Sequence, residues 1–181
     1  YPVNAKVQDY FAEGLMKTIV EEGRKVLQNP NDYDIRANLM WAATNALNCW
    51  IGQGVPQDWS SHRMGYALTA QFGLDHAQTL AVILSGVMTY MRKEKTAKLI
   101  RMGEVVFGIT EGSADEKAQK SIEATEDFFH FMGLKTRLSD YGIKESDLDA
   151  LVEPIDRMGW KLGEYGNINS KVAKEILLLR L

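Results

Sequence analysis

The stretch DWSSHRMGYALTAQFGLDHAQTLA, residues 58–81, indicates how this chain is built. Asp58 or Ser60 can cap the start of one helix, because short polar side chains satisfy free N–H groups there. Gly73 is a natural end for that helix, since glycine adopts the left-handed conformation without strain. Asp75 can then cap a second helix. The stretch therefore predicts two consecutive helices that reverse direction at a glycine.

Working outward, the whole chain shows the 3.6-residue apolar period of helices, with Gly, Pro and capping residues between segments. The fourth segment is apolar on every face, which is typical of a helix in the middle of a bundle. No run alternates like a strand, and no Gly-rich turn joins a strand to a helix. We predict an all-α fold of about eight helices, one domain over residues 1–181. The expected helices cover residues 7–26, 35–50, 60–72, 75–90, 96–107, 114–132, 144–158 and 171–181.

The composition is that of a soluble globular protein, with 45% apolar and 25% charged residues in 181. A net charge of -3 gives no basic surface for nucleic acid or an anionic membrane. No apolar run is long enough to span a membrane, and no signal peptide pattern opens the chain. Because the first residue is Tyr1 rather than Met, we expect the chain to be part of a longer protein.

The single cysteine, Cys49, cannot form an internal disulfide, so a reducing compartment, the cytoplasm, is the expected location. Cys49 lies between Asn48 and Trp50 in an apolar segment. We therefore predict a buried, inert thiol at the end of the second helix.

The two histidines of the opening stretch are the candidate metal ligands. His62 and Tyr66 are four residues apart and point to nearly the same side of a helix, while His76 begins the next helix. A reversal at Gly73 would let both imidazoles converge. Spacing alone also fits hydrogen-bonded core or surface histidines, and a catalytic metal usually takes at least three protein ligands. The other candidates are few: Asp58, Asp75, which we expect to act as a cap, and His130, which we expect on a helix face.

The same residues resemble a known family. DWSSH at 58–62, Gly65 and GLDHAQTLA at 73–81 are similar to the iron-containing (group III) alcohol dehydrogenases. The closest branch holds butanol dehydrogenases and NADPH-dependent aldehyde reductases. The resemblance covers essentially the whole chain, through DYFAEG at 9–14, YDIRANLMWAA at 33–43, LSDYG at 138–142 and Gly163-Glu164.

The resemblance implies a two-domain enzyme, of which this chain is the C-terminal helical domain. The N-terminal α/β domain would bind NAD(P). The divalent metal, iron or zinc, is held in the family by one aspartate and three histidines. His62 and His76 match the second histidine pair, and an Asp-x-x-x-His pair is expected just before Tyr1. We expect this chain alone to be inactive and to hold neither the metal nor NAD(P) tightly.

Tyr66 departs from the family pattern, because a histidine that lines the cleft commonly occupies this position. The implied partners are the N-terminal domain, a small alcohol or aldehyde and a second copy in a homodimer. A different interpretation is a helical interaction or structural module without catalysis, suggested by Tyr66 and the missing ligands. In either case we expect an uncovered apolar face around His62 and His76.

Overall fold

The computed structural model describes residues 4–181, which form two compact helical units. Unit 1 contains the described residues up to Pro56 together with Lys95–Met132, and unit 2 contains Gln57–Glu94 and Gly133–Leu181. The α-helices are α1 Lys6–Val26, α2 Tyr33–Leu47, α3 Ser60–Phe72, α4 His76–Tyr90, α5 Arg92–Met102, α6 Ala114–Phe131, α7 Leu148–Arg157 and α8 Ser170–Leu178.

The prediction of an all-α fold with about eight helices is confirmed. Across residues 4–181 the only strand-like pairing is an isolated antiparallel bridge between Leu162 and Ile168. No helix in this range is both long and apolar enough to cross a membrane. That residues 1–181 form a single domain stays a prediction.

Local signals set several helix boundaries as expected. Gly73 ends α3 in the left-handed conformation, with φ of 69°. Ser113 and Glu116 form the capping box of α6: the Ser113 N–H donates to Glu116 Oε2 at 2.8 Å, and the Glu116 N–H donates to Ser113 Oγ at 3.3 Å. The Ser113 N–H and the Ser113 hydroxyl both donate to the Glu116 carboxylate, and they lower its pKa because they favour its charged form.

Several boundaries differ from the sequence prediction. The seventh helix begins at Leu148, after a 3-10 turn over Glu145–Asp147, and the last helix ends at Leu178. Helix α2 ends at Leu47 instead of continuing to Trp50, because Cys49 has a left-handed backbone with φ of 69°. Cys49 is exposed, so the prediction of a buried thiol was wrong. The fifth helix begins earlier than expected, and after Met102 it continues as a π-helical turn over Gly103–Phe107. The spacing of apolar residues in a sequence does not distinguish such an early helix end, or a π-helical turn, from continuous α-helix.

In unit 2, α4 is the central helix, as its apolar pattern predicted. Val82 and Ile83 are completely buried, and α3 and α8 pack on α4. Gly86 permits the close approach of α8, because a Cβ there would come within 2.9 Å of the Arg180 side chain. Arg180 is itself buried, and its Nη2 donates to the Thr136 carbonyl at 2.7 Å.

In unit 1, α1 packs along α2 and is tied to α5 by buried charges. The carboxylates of Asp9 and Glu13 are buried on α1. Lys98 Nζ donates to Asp9 Oδ1 at 2.5 Å, and Arg101 binds both carboxylate oxygens of Glu13. Charges withdrawn from water need such partners, so this cluster fixes how α5 lies on α1.

We predict that Gly103→Ala destabilises the protein by about 1–3 kcal/mol, because the added methyl overpacks a buried contact. The new Cβ would overlap Ser121 Oγ, and the Ser121 side chain is completely buried, with its hydroxyl donating to the Lys117 carbonyl at 2.7 Å. Urea unfolding measures the effect. Combining it with Ser121→Ala removes the overlapping atom and should recover part of the loss. An unchanged unfolding midpoint for the single variant would contradict this packing.

Candidate metal centre

Helix α3 carries His62 in its first turn. Asp58 Oδ1 accepts the Ser60 N–H at 2.8 Å, which ties the preceding turn to the helix start. The His62 side chain is half-buried. The indole of Trp59 lies edge-on to the imidazole, with ring centroids 5.0 Å apart. An aromatic ring from its own helix start therefore contacts the His62 imidazole.

His76 is the first residue of α4, and a capping box fixes that end. The Asp75 N–H donates to Gln78 Oε1 at 2.9 Å, and the Asp75 side chain accepts from the Gln78 backbone. Thr79 Oγ1 donates to the His76 carbonyl at 2.8 Å. Asp75 thus has the capping role that the sequence indicated, and the exposed imidazole of His76 starts from a rigid backbone.

The two imidazoles lie next to each other. Their ring centroids are 5.1 Å apart, with an angle of 55° between the ring planes. Partial burial, and then the nearby charge of His76, lower the pKa of the His62 imidazole. Both effects disfavour the cation, so His62 is biased toward the neutral form that can ligate a metal.

The approach of the two rings depends on Gly65. A Cβ at this position would come within 2.9 Å of Thr79 Oγ1 and 3.3 Å of Thr79 Cβ. With hydrogen at this position, α3 and α4 can pack closely next to the histidines. The glycine therefore belongs to the site, although it presents no functional group.

Tyr66 lies one turn after His62 on α3 and is 46% exposed. The guanidinium carbon of Arg63 is 5.8 Å from the centre of the Tyr66 ring and 4.8 Å from that of Trp160. Sequence reasoning missed Trp59, Arg63 and Trp160. Trp59 could have been found from its three-residue spacing to His62, whereas Trp160 lies too far along the chain for any local signal.

The structure gives other contacts or locations to the remaining ligand candidates. One Asp58 oxygen accepts from Ser60, Asp75 caps α4, and the exposed His130 lies in the last turn of α6 in unit 1. Within residues 4–181 no three His, Cys, Asp or Glu side chains are grouped to hold an ion. The described chain offers a pair of adjacent imidazoles.

Residues 2–177 match the sequence profile described as Fe-containing alcohol dehydrogenase family, C-terminal. The chain belongs to this family. The resemblance inferred from the residues around His62 and His76 is thereby confirmed.

Relatives of this Fe-containing alcohol dehydrogenase domain include enzymes of both cofactor types. The chain is 50% identical over 176 residues to NADPH-dependent aldehyde reductase YqhD of Escherichia coli, covering 97% of this chain and 46% of that protein. It is 36% identical over 177 residues to NADH-dependent butanol dehydrogenase B of Clostridium acetobutylicum, covering 96% and 45%.

A solved structure of a relative also matches nearly the whole chain. The substrate- and cofactor-free form of the E. coli aldehyde reductase YqhD matches with a TM-score of 0.96 at 48% identity. The match covers 99% of this chain and 48% of that one. The chain therefore spans just under half the length of the relatives it matches.

We predict opposite effects for two glycine-to-alanine changes within helices. Gly65→Ala should destabilise the protein by about 1–3 kcal/mol, because the methyl presses on Thr79. Gly14→Ala is the matched control: it has no atom within 4 Å of the new Cβ and should stabilise α1 by roughly 0.5–1 kcal/mol. Urea unfolding measures both changes. NMR should show shifted imidazole signals of His62 and His76 only in the Gly65 variant, and equal effects of the two changes would contradict the packing argument.

Proposed function

We propose that this chain is the metal-binding helical domain of an NAD(P)-dependent alcohol dehydrogenase or aldehyde reductase. The observation that carries the proposal is the adjacent pair His62 and His76, in a chain that belongs to the Fe-containing alcohol dehydrogenase family. The names of its relatives favour small alcohols and aldehydes as substrates and either NADPH or NADH as cofactor. The ion would be divalent iron or zinc.

The spacing of the two rings supports a shared ion. An ion about 2 Å from one nitrogen of each imidazole lies about 3 Å from each ring centre, so a tetrahedral arrangement puts the ring centres about 5 Å apart. The observed distance is 5.1 Å. The lowered pKa of His62 favours the neutral imidazole, which is the form that ligates a metal.

His62 and His76 would provide two of the ligands. We propose that an aspartate and a histidine from the preceding part of the full-length protein complete the set. The bound metal would supply Lewis acidity toward the oxygen of the alcohol or aldehyde, and NAD(P) the hydride chemistry. The nucleotide pocket would lie mainly on the preceding domain, so this chain alone would hold neither group tightly and would be inactive.

The aromatic residues next to the ligands would shape the cleft. Trp59 contacts the His62 imidazole and would limit the access of water to it. Tyr66 would line the cleft, where its phenol can donate a hydrogen bond but does not titrate near neutral pH as a histidine would. The cation–π contact with Arg63 restricts the Tyr66 ring. The complete enzyme is expected to be a cytoplasmic homodimer.

We predict that His62→Ala and His76→Ala each remove most of the bound metal from the full-length protein. NADPH-linked aldehyde reduction should fall at least roughly a hundredfold, since each variant deletes a ligand where even supporting residues cost 10–100-fold. Elemental analysis and initial rates measure the two effects. His130→Ala is the matched control, because this third histidine is exposed in unit 1 and should leave both values unchanged. Full activity in the His76 variant would contradict the proposal and favour a non-catalytic module.

We predict that Tyr66→Phe lowers kcat/KM of the full-length enzyme roughly 3- to 10-fold, the effect of losing one hydrogen bond of about 0.5–1.5 kcal/mol. The metal content should not change, which separates this role from that of the ligands. Tyr66→His should restore a donor and make the rate depend on pH near neutrality, because imidazole titrates there. Identical rates and pH profiles for all three proteins would show that Tyr66 lies outside the cleft.

A further inference from the structure

A single positive side chain lies beside the histidine pair. Arg63 directly follows His62 on α3, and it is the only Lys or Arg in residues 37–91, although the whole chain has 21 of them. Arg63 is exposed. Consecutive residues have Cα atoms about 3.8 Å apart, so its side chain starts from the backbone next to the proposed metal ligand. A segment otherwise free of cations therefore carries one at the candidate metal centre.

Arg63 has no acidic neighbour to neutralise it. No Asp or Glu occurs in residues 59–74, so α3 offers no carboxylate one turn before or after Arg63. Across residues 4–181, the contacts of its guanidinium are with two aromatic rings and include no salt bridge. A guanidinium carries five N–H donors and no acceptor. These donors are therefore available to an anion that comes from outside the described chain.

Two aromatic rings hold the guanidinium in place. Its central carbon is 4.8 Å from the centre of the Trp160 ring and 5.8 Å from that of Tyr66, within the range of cation–π contacts. Trp160 is itself fixed, because its backbone N–H donates to the Ile155 carbonyl at 2.9 Å and its side chain packs against the core of unit 2. A guanidinium that packs on aromatic rings still presents its edge as a fork of N–H groups, which matches a carboxylate. The two rings therefore hold an oriented donor.

Tyr66 connects Arg63 to the metal ligand. It is three residues after Arg63 and four after His62, so its ring neighbours both side chains on the surface of α3. Under the proposed function Tyr66 lines the cleft, and Arg63 lies on the same side of α3 in contact with it. All three residues and Trp160 belong to unit 2. A small substrate that reacts at the metal would therefore extend past Tyr66 toward Arg63.

We propose that Arg63 is a specificity-determining residue, which binds the carboxylate of a substrate that carries an acid group. The preferred substrates are short oxo acids with a terminal aldehyde and the matching hydroxy acids, in which a few carbons separate the reacting group from the carboxylate. The carboxylate accepts two parallel hydrogen bonds from the guanidinium, while the aldehyde or alcohol oxygen of the same molecule lies at the metal. The inference rests on the proposed function, in which His62 and His76 bind that metal.

A phosphate of NAD(P) has the same anionic oxygen chemistry as a carboxylate. The substrate is the source that the geometry favours, because Arg63 adjoins the ligand at which the carbonyl would react. The nucleotide pocket, by contrast, is proposed to lie mainly on the preceding domain. The experiment therefore varies substrate and cofactor separately.

Steady-state kinetics of the full-length protein test the proposal with 4-oxobutanoate and butanal, which have four carbons each and differ in charge. We expect the unmodified protein to have the higher kcat/KM for 4-oxobutanoate. Arg63→Gln should lower the ratio of kcat/KM for 4-oxobutanoate to kcat/KM for butanal about 10- to 100-fold, because hydrogen bonds to a charged group are lost. Arg63→Lys keeps the charge but not the planar fork, so it should lower the ratio about 3- to 10-fold. This second variant keeps the test open if Arg63→Gln does not fold.

Arg24→Gln is the matched control. Arg24 is also exposed, and its guanidinium carbon lies 5.7 Å from the centre of the Phe131 ring, in unit 1. Loss of an arginine that packs on an aromatic ring away from the histidine pair should leave the ratio unchanged.

An unchanged ratio in the Arg63 variants would overturn the proposal. An equal fall with both aldehydes would show that Arg63 acts only through Tyr66, and a raised KM for NADPH or NADH without a change in the ratio would assign it to the cofactor. Reduction of butanal but not 4-oxobutanoate by the unmodified protein would also overturn it. Failure of the proposed function looks different, because the unmodified protein would then contain no metal and reduce neither aldehyde.

Discussion

The contact between Gly65 of α3 and Thr79 of α4 is the constraint on which the candidate site depends. It brings two helices, joined by a short reversal at Gly73, close enough for His62 and His76 to meet. The buried centre of α4 then fixes this pair in unit 2. Because α4 is buried on several faces, its first residue has little freedom to move. The histidine pair is therefore positioned by packing more than by polar contacts.

Much of this arrangement could be predicted from the sequence, because its signals are local. Each signal consists of residues that are close together in the sequence. They are the glycine reversal, the capping residues Asp75 and Ser113, and the apolar centre of α4. The histidine pair was recognised from spacing and from similarity to the family. The cation–π contact of Arg63 with Trp160 could not be predicted, since it joins distant segments through tertiary packing.

Helix α2 shows the opposite case. The sequence predicts one helix over residues 35–50, whereas the helix ends at Leu47 and most of its surface is exposed. The uncovered apolar area was expected around the histidines, but its most exposed residues lie on α2. Periodicity shows that a face will be buried, but it does not show which part of a protein buries it.

The short separation of His62 and His76 along the chain also has a consequence for the order of folding. Contacts between residues near in sequence close small loops at little entropic cost, so this pair can form together with the α3–α4 reversal. Ligands from other parts of the protein would then join two imidazoles that are already adjacent. The ion would then bind after both segments have folded separately. Its binding free energy would contribute mainly to holding them together.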